Sequence, residues 1–134
     1  DRIDYSNDTA TASPKGPLYE GLGRIAATGN ANFGYFGGGY SSESDVQRVD
    51  YSNDTATALV RGPLASDAER LQATGNLNFG YFAGGDPGPS PAGNSRVQRL
   101  DYANDTNTAV LRGPTKHNRL SGAGFSAAAN ANPQ

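Results

Sequence analysis

The eleven residues RIDYSNDTATA (2–12) return as RVDYSNDTATA (48–58) and again as RLDYANDTNTA (99–109). Copies one and two agree at 10 of 11 positions and copies two and three at 8 of 11, which sets steps of 46 and 51 residues. A second block, GNANFGYFGGG (29–39), matches GNLNFGYFAGG (75–85) at 9 of 11 positions, again 46 apart. Between them lies a third: KGPLYEGLGRIAATG (15–29), RGPLASDAERLQATG (61–75) and the shorter RGPTKHNRLSGAG (112–124). A chain that repeats at this period folds as similar supersecondary units, none of which buries its apolar face alone. The extra length in the second step falls in DPGPSPAGNS (86–95), whose Pro, Gly and Ser mark a loop.

Each block reads as strand and turn. In RVDY, Val49 and Tyr51 alternate with Arg48 and Asp50, the period of a half-buried strand. SND (52–54) is turn chemistry, since Asn and Asp side chains bond nearby backbone. TATA (55–58) alternates again and predicts the second strand of a hairpin. RLQATG (70–75) reads as a short strand or an irregular extended piece, and NFGYFAGG (78–85) as a strand with Phe79 and Tyr81 on one face and Phe82 on the other. The pairs Gly38/Gly39 and Gly84/Gly85 end these strands where the backbone turns or packs closely. SDAERLQA (66–73) also carries a capping-box pattern, with Ser66 as cap and Glu69 three residues on, but its counterpart YEGLGRIAA (19–27) holds two glycines. About four short strands in each unit point to an all-β propeller blade, with a β-solenoid or β-prism of the same period as the alternative.

Composition narrows the partners. Leu, Ile, Val and Phe make up only about a sixth of the chain, so a thin core is expected, completed by stacking units or by another chain. The net charge of −2 supplies no electrostatic footprint for nucleic acid or an anionic membrane. No apolar run approaches the roughly 20 residues that span a bilayer. Without Cys, disulfides, zinc thiolates and thiol nucleophiles are excluded. A start at Asp1 reads as a processed or excised piece.

No motif carries catalysis. His117 is the lone His and lies in the polar turn TKHNR, so neither a zinc site nor a Cys–His nucleophile can be built on it. The glycines of FGYFGGGYSS (33–42) lack the Lys-Ser or Lys-Thr of a phosphate loop. The pairs Asp4/Asp8, Asp50/Asp54 and Asp101/Asp105 lack the spacing of a calcium loop, which needs six to eight oxygens. No catalytic, cofactor or metal residue is therefore assigned. Asn7, Asn53 and Asn104 each open an N-x-Thr glycosylation triplet, although the same triplet belongs to the repeated turn. Tyr19 and Tyr40 sit in segments that differ between copies and are candidate glycan contacts by ring stacking. Tyr5, Tyr51 and Tyr102, with the four paired glycines, are read as structural residues of the repeat.

These residues resemble the kelch repeat. YFGGG (35–39) and YFAGG (81–85) supply its Gly pairs, and YANDTNTA (102–109) follows its second strand, with Ala109 where kelch places Trp. The tandem run also looks like the repeat arrays of virion structural proteins from marine cyanobacterial phages, a likeness strongest over residues 1–85. The resemblance implies a kelch-like β-propeller of about three four-stranded units (about 1–32, 33–78 and 79–130, with a tail at 131–134), forming a partial ring or one completed by other chains. It implies a non-enzymatic virion module at the particle surface. Its partners would be other copies of itself, other virion proteins or surface glycans, with no nucleic acid, membrane or cofactor. A secreted lectin-like propeller adhesin of cellular origin is the alternative.

Overall fold

The computed structural model of the chain describes residues 1–4, 6–40, 43–88 and 93–124. Eight strands form two four-stranded antiparallel sheets, each a meander in chain order. The first contains β1 (Ala26–Gly29), β2 (Phe33–Gly37), β3 (Val46–Asp50) and β4 (Leu59–Arg61). The second contains β5 (Gln72–Gly75), β6 (Phe79–Ala83), β7 (Val97–Asp101) and β8 (Val110–Arg112).

The repeated polar residues build the turns. Asn30 Oδ1 accepts from the backbone N–H of Asn32 (2.9 Å) and Phe33 (3.0 Å), closing the β1–β2 hairpin, and Asn76 does the same with Asn78 and Phe79, both at 2.9 Å. After β2 and β6 the chain turns at Gly38 and Gly84, whose φ angles of +72° and +67° lie in the left-handed region that favours glycine. After β3 and β7, Asp50 and Asp101 accept from Ser52 N and Ala103 N and cap the single 3₁₀ turns Tyr51–Asn53 and Tyr102–Asn104. The two sheets share one core. Tyr35 and Val46 from the first and Phe82 and Leu100 from the second are fully buried together. Gly37 leaves room for the Phe82 ring, which a methyl group there would approach to 3.0 Å. Gln98 is buried as well, but its amide is satisfied by the Ser66 backbone, 2.9 Å to N and 3.1 Å to O.

Two expectations are corrected. The chain is all-β, but in place of a kelch-like propeller of about three four-stranded units, the described residues form two separate sheets that close into neither a propeller nor a barrel. Outside these sheets the described residues add isolated bridges such as Arg2 with Ser13 and Asn94 with Arg119, and they build no third sheet. Most of GFSAAAN (124–130) lies outside the described residues. The second correction concerns TATA (55–58), which does not pair as a strand. The 3₁₀ turn and the following Ala56 N–Asn53 O bond (3.2 Å) carry the chain away from β3, and pairing resumes only with Leu59 opposite Arg48. Residues 66–73 form no helix. Glu69 instead bridges Asp86 through both backbone groups (3.0 and 2.8 Å), and β5 opens at Gln72.

Candidate functional site

The repeated NDT turn is where one unit meets the one before it. Tyr35 on β2 and Arg48 on β3 are directly opposite in register and so project from the same face of the first sheet. The turn after β7 brings Asp105 onto that face. Its carboxylate, on a residue 8% exposed, accepts from Arg48 Nη1 at 2.6 Å and from the Tyr35 hydroxyl at 3.0 Å. Arg61 Nε of β4 lies 3.5 Å away. Backbone bonds run alongside: Gly62 N donates to Asp105 O and Ala109 N to Pro63 O, each at 2.8 Å. A side chain at Gly62 would overlap the Asn107 carbonyl, so the RGP segment takes the turn only with glycine there. The Arg48 guanidinium lies over the Phe33 ring, 4.3 Å from its centroid. The Tyr35 and Tyr102 rings stack at 4.7 Å and 8°, and the Tyr102 and Thr28 hydroxyls are 3.1 Å apart. Burial, then the bond to Asp105, pushes the Tyr35 phenol well above its ordinary pKa, and burial raises that of Tyr102.

The same construction recurs one unit earlier. Asp54 accepts from Arg2 Nη1 at 2.6 Å and pairs with Lys15 Nζ at 3.3 Å. Gly16 N donates to Asp54 O (2.8 Å), and Ala58 N to Pro17 O (2.9 Å). This copy is wetter, since the Arg2 side chain is 59% exposed. Beside it runs a groove of about 500 Å³ lined in part by Leu18, Phe36, Val49 and Tyr51. A further ionic link crosses the loops below, where Glu69 pairs with Arg24 (2.6 Å) and Arg70 (3.6 Å), and Arg70 reaches Asp86 (3.8 Å). Both arginines hold a left-handed backbone, with φ of 60° and 56°.

The paired aspartates therefore divide their work. Asp4, Asp50 and Asp101 bond their own turns, and those bonds hold their carboxyls below the usual range: Ser6 for Asp4, Ser52 for Asp50, and Asn104 with Ala103 for Asp101. Asp54 and Asp105 reach across to the preceding unit. Sequence reasoning missed the second role, although a basic residue recurring before GP at 15, 61 and 112 was a signal for it. Asn7, Asn53 and Asn104 all lie exposed in the turns. Tyr19 and Tyr40 are exposed, at 64% and 61%. The Tyr40 ring lies 4.8 Å from the Arg24 guanidinium, while the Tyr19 backbone N–H donates to Gln47 Oε1 at 2.7 Å. Tyr51 is half exposed, Tyr102 is buried, and Tyr5 lies outside the described residues. Gly38, Gly39, Gly84 and Gly85 are all buried at their turns. His117 is exposed. Among the described residues, no three His, Cys, Asp or Glu side chains are grouped to hold a metal. No helix among them is long and apolar enough to cross a membrane.

Fold and clamp together define an all-β repeat protein whose units are joined by ionic turns. No protein-family model matches the chain, and no curated protein matches it. Among solved structures it is similar to that of YjhT, with a TM-score of 0.67 at 13% identity over 92% of this chain. The chain spans 40% of the length of that structure, and the likeness concerns the fold. The expected identity as a kelch-repeat virion protein is corrected: the described residues form two sheets that do not make a propeller, and the structural likeness found is to YjhT. Nothing in the fold or in that likeness indicates a virion or adhesion module, or its lectin-like counterpart.

Proposed function

We propose that this chain is a non-catalytic docking module, in which the NDT turn of each repeat is the plug and the Tyr–Arg–(Arg/Lys)–Gly-Pro face of the preceding unit is the socket. The observation that carries this reading is Asp105, a buried carboxylate gathered by a tyrosine and two arginines of the other sheet. Charged hydrogen bonds that shield each other from water fix orientation as well as add stability. Asp54 repeats the arrangement with different cations, so plug and socket belong to the repeat. The carboxylates with resolved contacts in these turns are committed to caps or clamps, which favours assembly over acid–base chemistry. Limited proteolysis across a denaturant series tests the proposal. The two sheets of the wild type should become cleavable together, and in Asp105→Ala they should become cleavable at separate denaturant concentrations. Unchanged joint cleavage in the variant would refute it.

A further inference from the structure

The outer face of the second sheet is a socket with no plug among the described residues. Tyr81 and Arg99 are opposite in register on β6 and β7, as Tyr35 and Arg48 are on β2 and β3. Arg99 lies 4.3 Å from the Phe79 ring centroid, the same distance that separates Arg48 from Phe33. Arg112 stands where Arg61 and Lys15 stand in the other units, followed by Gly113 and Pro114. Yet where Arg48 and Arg61 share Asp105, Arg99 and Arg112 form no ion pair among the described residues. Tyr35 and Val46 are fully buried, but their counterparts Tyr81 and Val97 are only half-buried. The glycines make the clearest contrast. A side chain at Gly16 or Gly62 would overlap the turn seated on it, whereas a side chain at Gly113 would meet nothing within 4 Å.

The matching plug lies in the first repeat. Asp4 and residues 6–10 make the same turn bonds as the two docked copies: Ser6 N bonds Asp4 Oδ1 (2.9 Å), and Ala10 N bonds Asn7 O (3.2 Å), as Ala56 N bonds Asn53 O and Asn107 N bonds Asn104 O. Asp8 occupies the position of Asp54 and Asp105, and it is exposed with no ion pair among the described residues. The first repeat thus displays a preformed carboxylate plug, and the last described repeat a preformed cationic socket of the type filled twice among the described residues.

Building on the docking reading above, we infer that a second copy of this chain seats its Asp8 turn on the outer face of the second sheet, Asp8 meeting Tyr81, Arg99 and Arg112. Copied from the internal docking, the Gly113 N–H then donates to the carbonyl of the incoming Asp8, and the Pro114 carbonyl accepts from the N–H of the incoming Ala12. The contact joins unlike surfaces, so each bound copy presents a new socket.

The test is the mass in solution by light scattering across a concentration series. Wild type should form species larger than one chain, increasing with concentration. Asp8→Arg places like charges together, and Arg112→Glu does the same from the other side, so each alone should stay at the mass of one chain. Mixed in equal amounts, the two should associate, because each supplies the opposite charge that the other lacks. Gly113→Val, whose Cβ meets no described residue within 4 Å, should keep the thermal midpoint and lose association. Wild type at one-chain mass throughout, or variants that associate like wild type, would overturn the inference. Loss of the internal docking instead would show as an Asp105→Ala variant as stable as wild type, so the two failures are told apart.

Discussion

Replacing each clamp aspartate by alanine gives two experiments with the same chemistry and different expected sizes. Asp105 is buried, its cationic partners Arg48 and Arg61 are 18% and 19% exposed, and the Tyr35 hydroxyl is fully enclosed with it. Removing this carboxylate strands two part-buried cations and one buried hydroxyl. Breaking one side of such a buried pair costs about 3–5 kcal/mol. Asp54 pairs with Arg2, which is 59% exposed, and Lys15, so water and salt replace much of what it supplies. An exposed pair of this kind contributes about 0.2–1 kcal/mol. With a midpoint shift of roughly 4 °C per kcal/mol for a domain of this size, Asp105→Ala should lose about 12–20 °C and Asp54→Ala under about 4 °C. Differential scanning calorimetry at low and high salt reads both, and salt should weaken the Asp54 effect more. Equal midpoint losses at the two positions would refute the argument from burial.

The remaining predictions concern single groups. Because the Tyr35 phenol is raised in the folded state, its contribution is fully present below the ordinary phenol pKa of about 10 and is lost as pH rises above it. Tyr35→Phe should therefore flatten the alkaline limb of the midpoint-against-pH curve. On the acid side, the depressed carboxyls of Asp50 and Asp101 contribute above their ordinary pKa and lose that contribution as pH falls through their folded values. Asp50→Asn should accordingly narrow the gap to wild type as pH falls, by the same calorimetry. Phe82→Ala empties a fully buried site at the junction of the sheets and should cost about 3–5 kcal/mol by urea unfolding. Gly38→Ala forces a left-handed backbone on a side chain that meets the Ala68 carbonyl and Leu71, and should cost about 1–3 kcal/mol in the same assay.

Much of the local structure was legible because turn residues act locally. The SND segment turns as expected, with Asp50 bonding the Ser52 backbone two residues on, and the left-handed glycines mark where β2 and β6 end. The strands in FGYF and in RVD follow from their alternation, which stops at Tyr51 where the 3₁₀ turn begins. What was not legible depends on distance. The strand expected at 55–58 appears at Leu59–Arg61, because Ala58 N bonds Pro17 O of another segment instead of β3. Alternation of Thr and Ala says nothing about such a partner. The clamp escaped for the same reason, since Asp105 and Tyr35 are 70 residues apart and meet only when the sheets pack. Closure into a propeller is likewise a property of how sheets are arranged, and a period of 46 residues does not determine it.

The claim that the turn aspartate joins one unit to the next is tested most directly by a double-mutant cycle on Arg48 and Asp105. Unfolding free energies of Arg48→Ala, Asp105→Ala and the double variant should reveal a coupling of about 1–3 kcal/mol between residues 57 positions apart in sequence. A coupling below about 0.5 kcal/mol, the level of independent sites, would contradict the account.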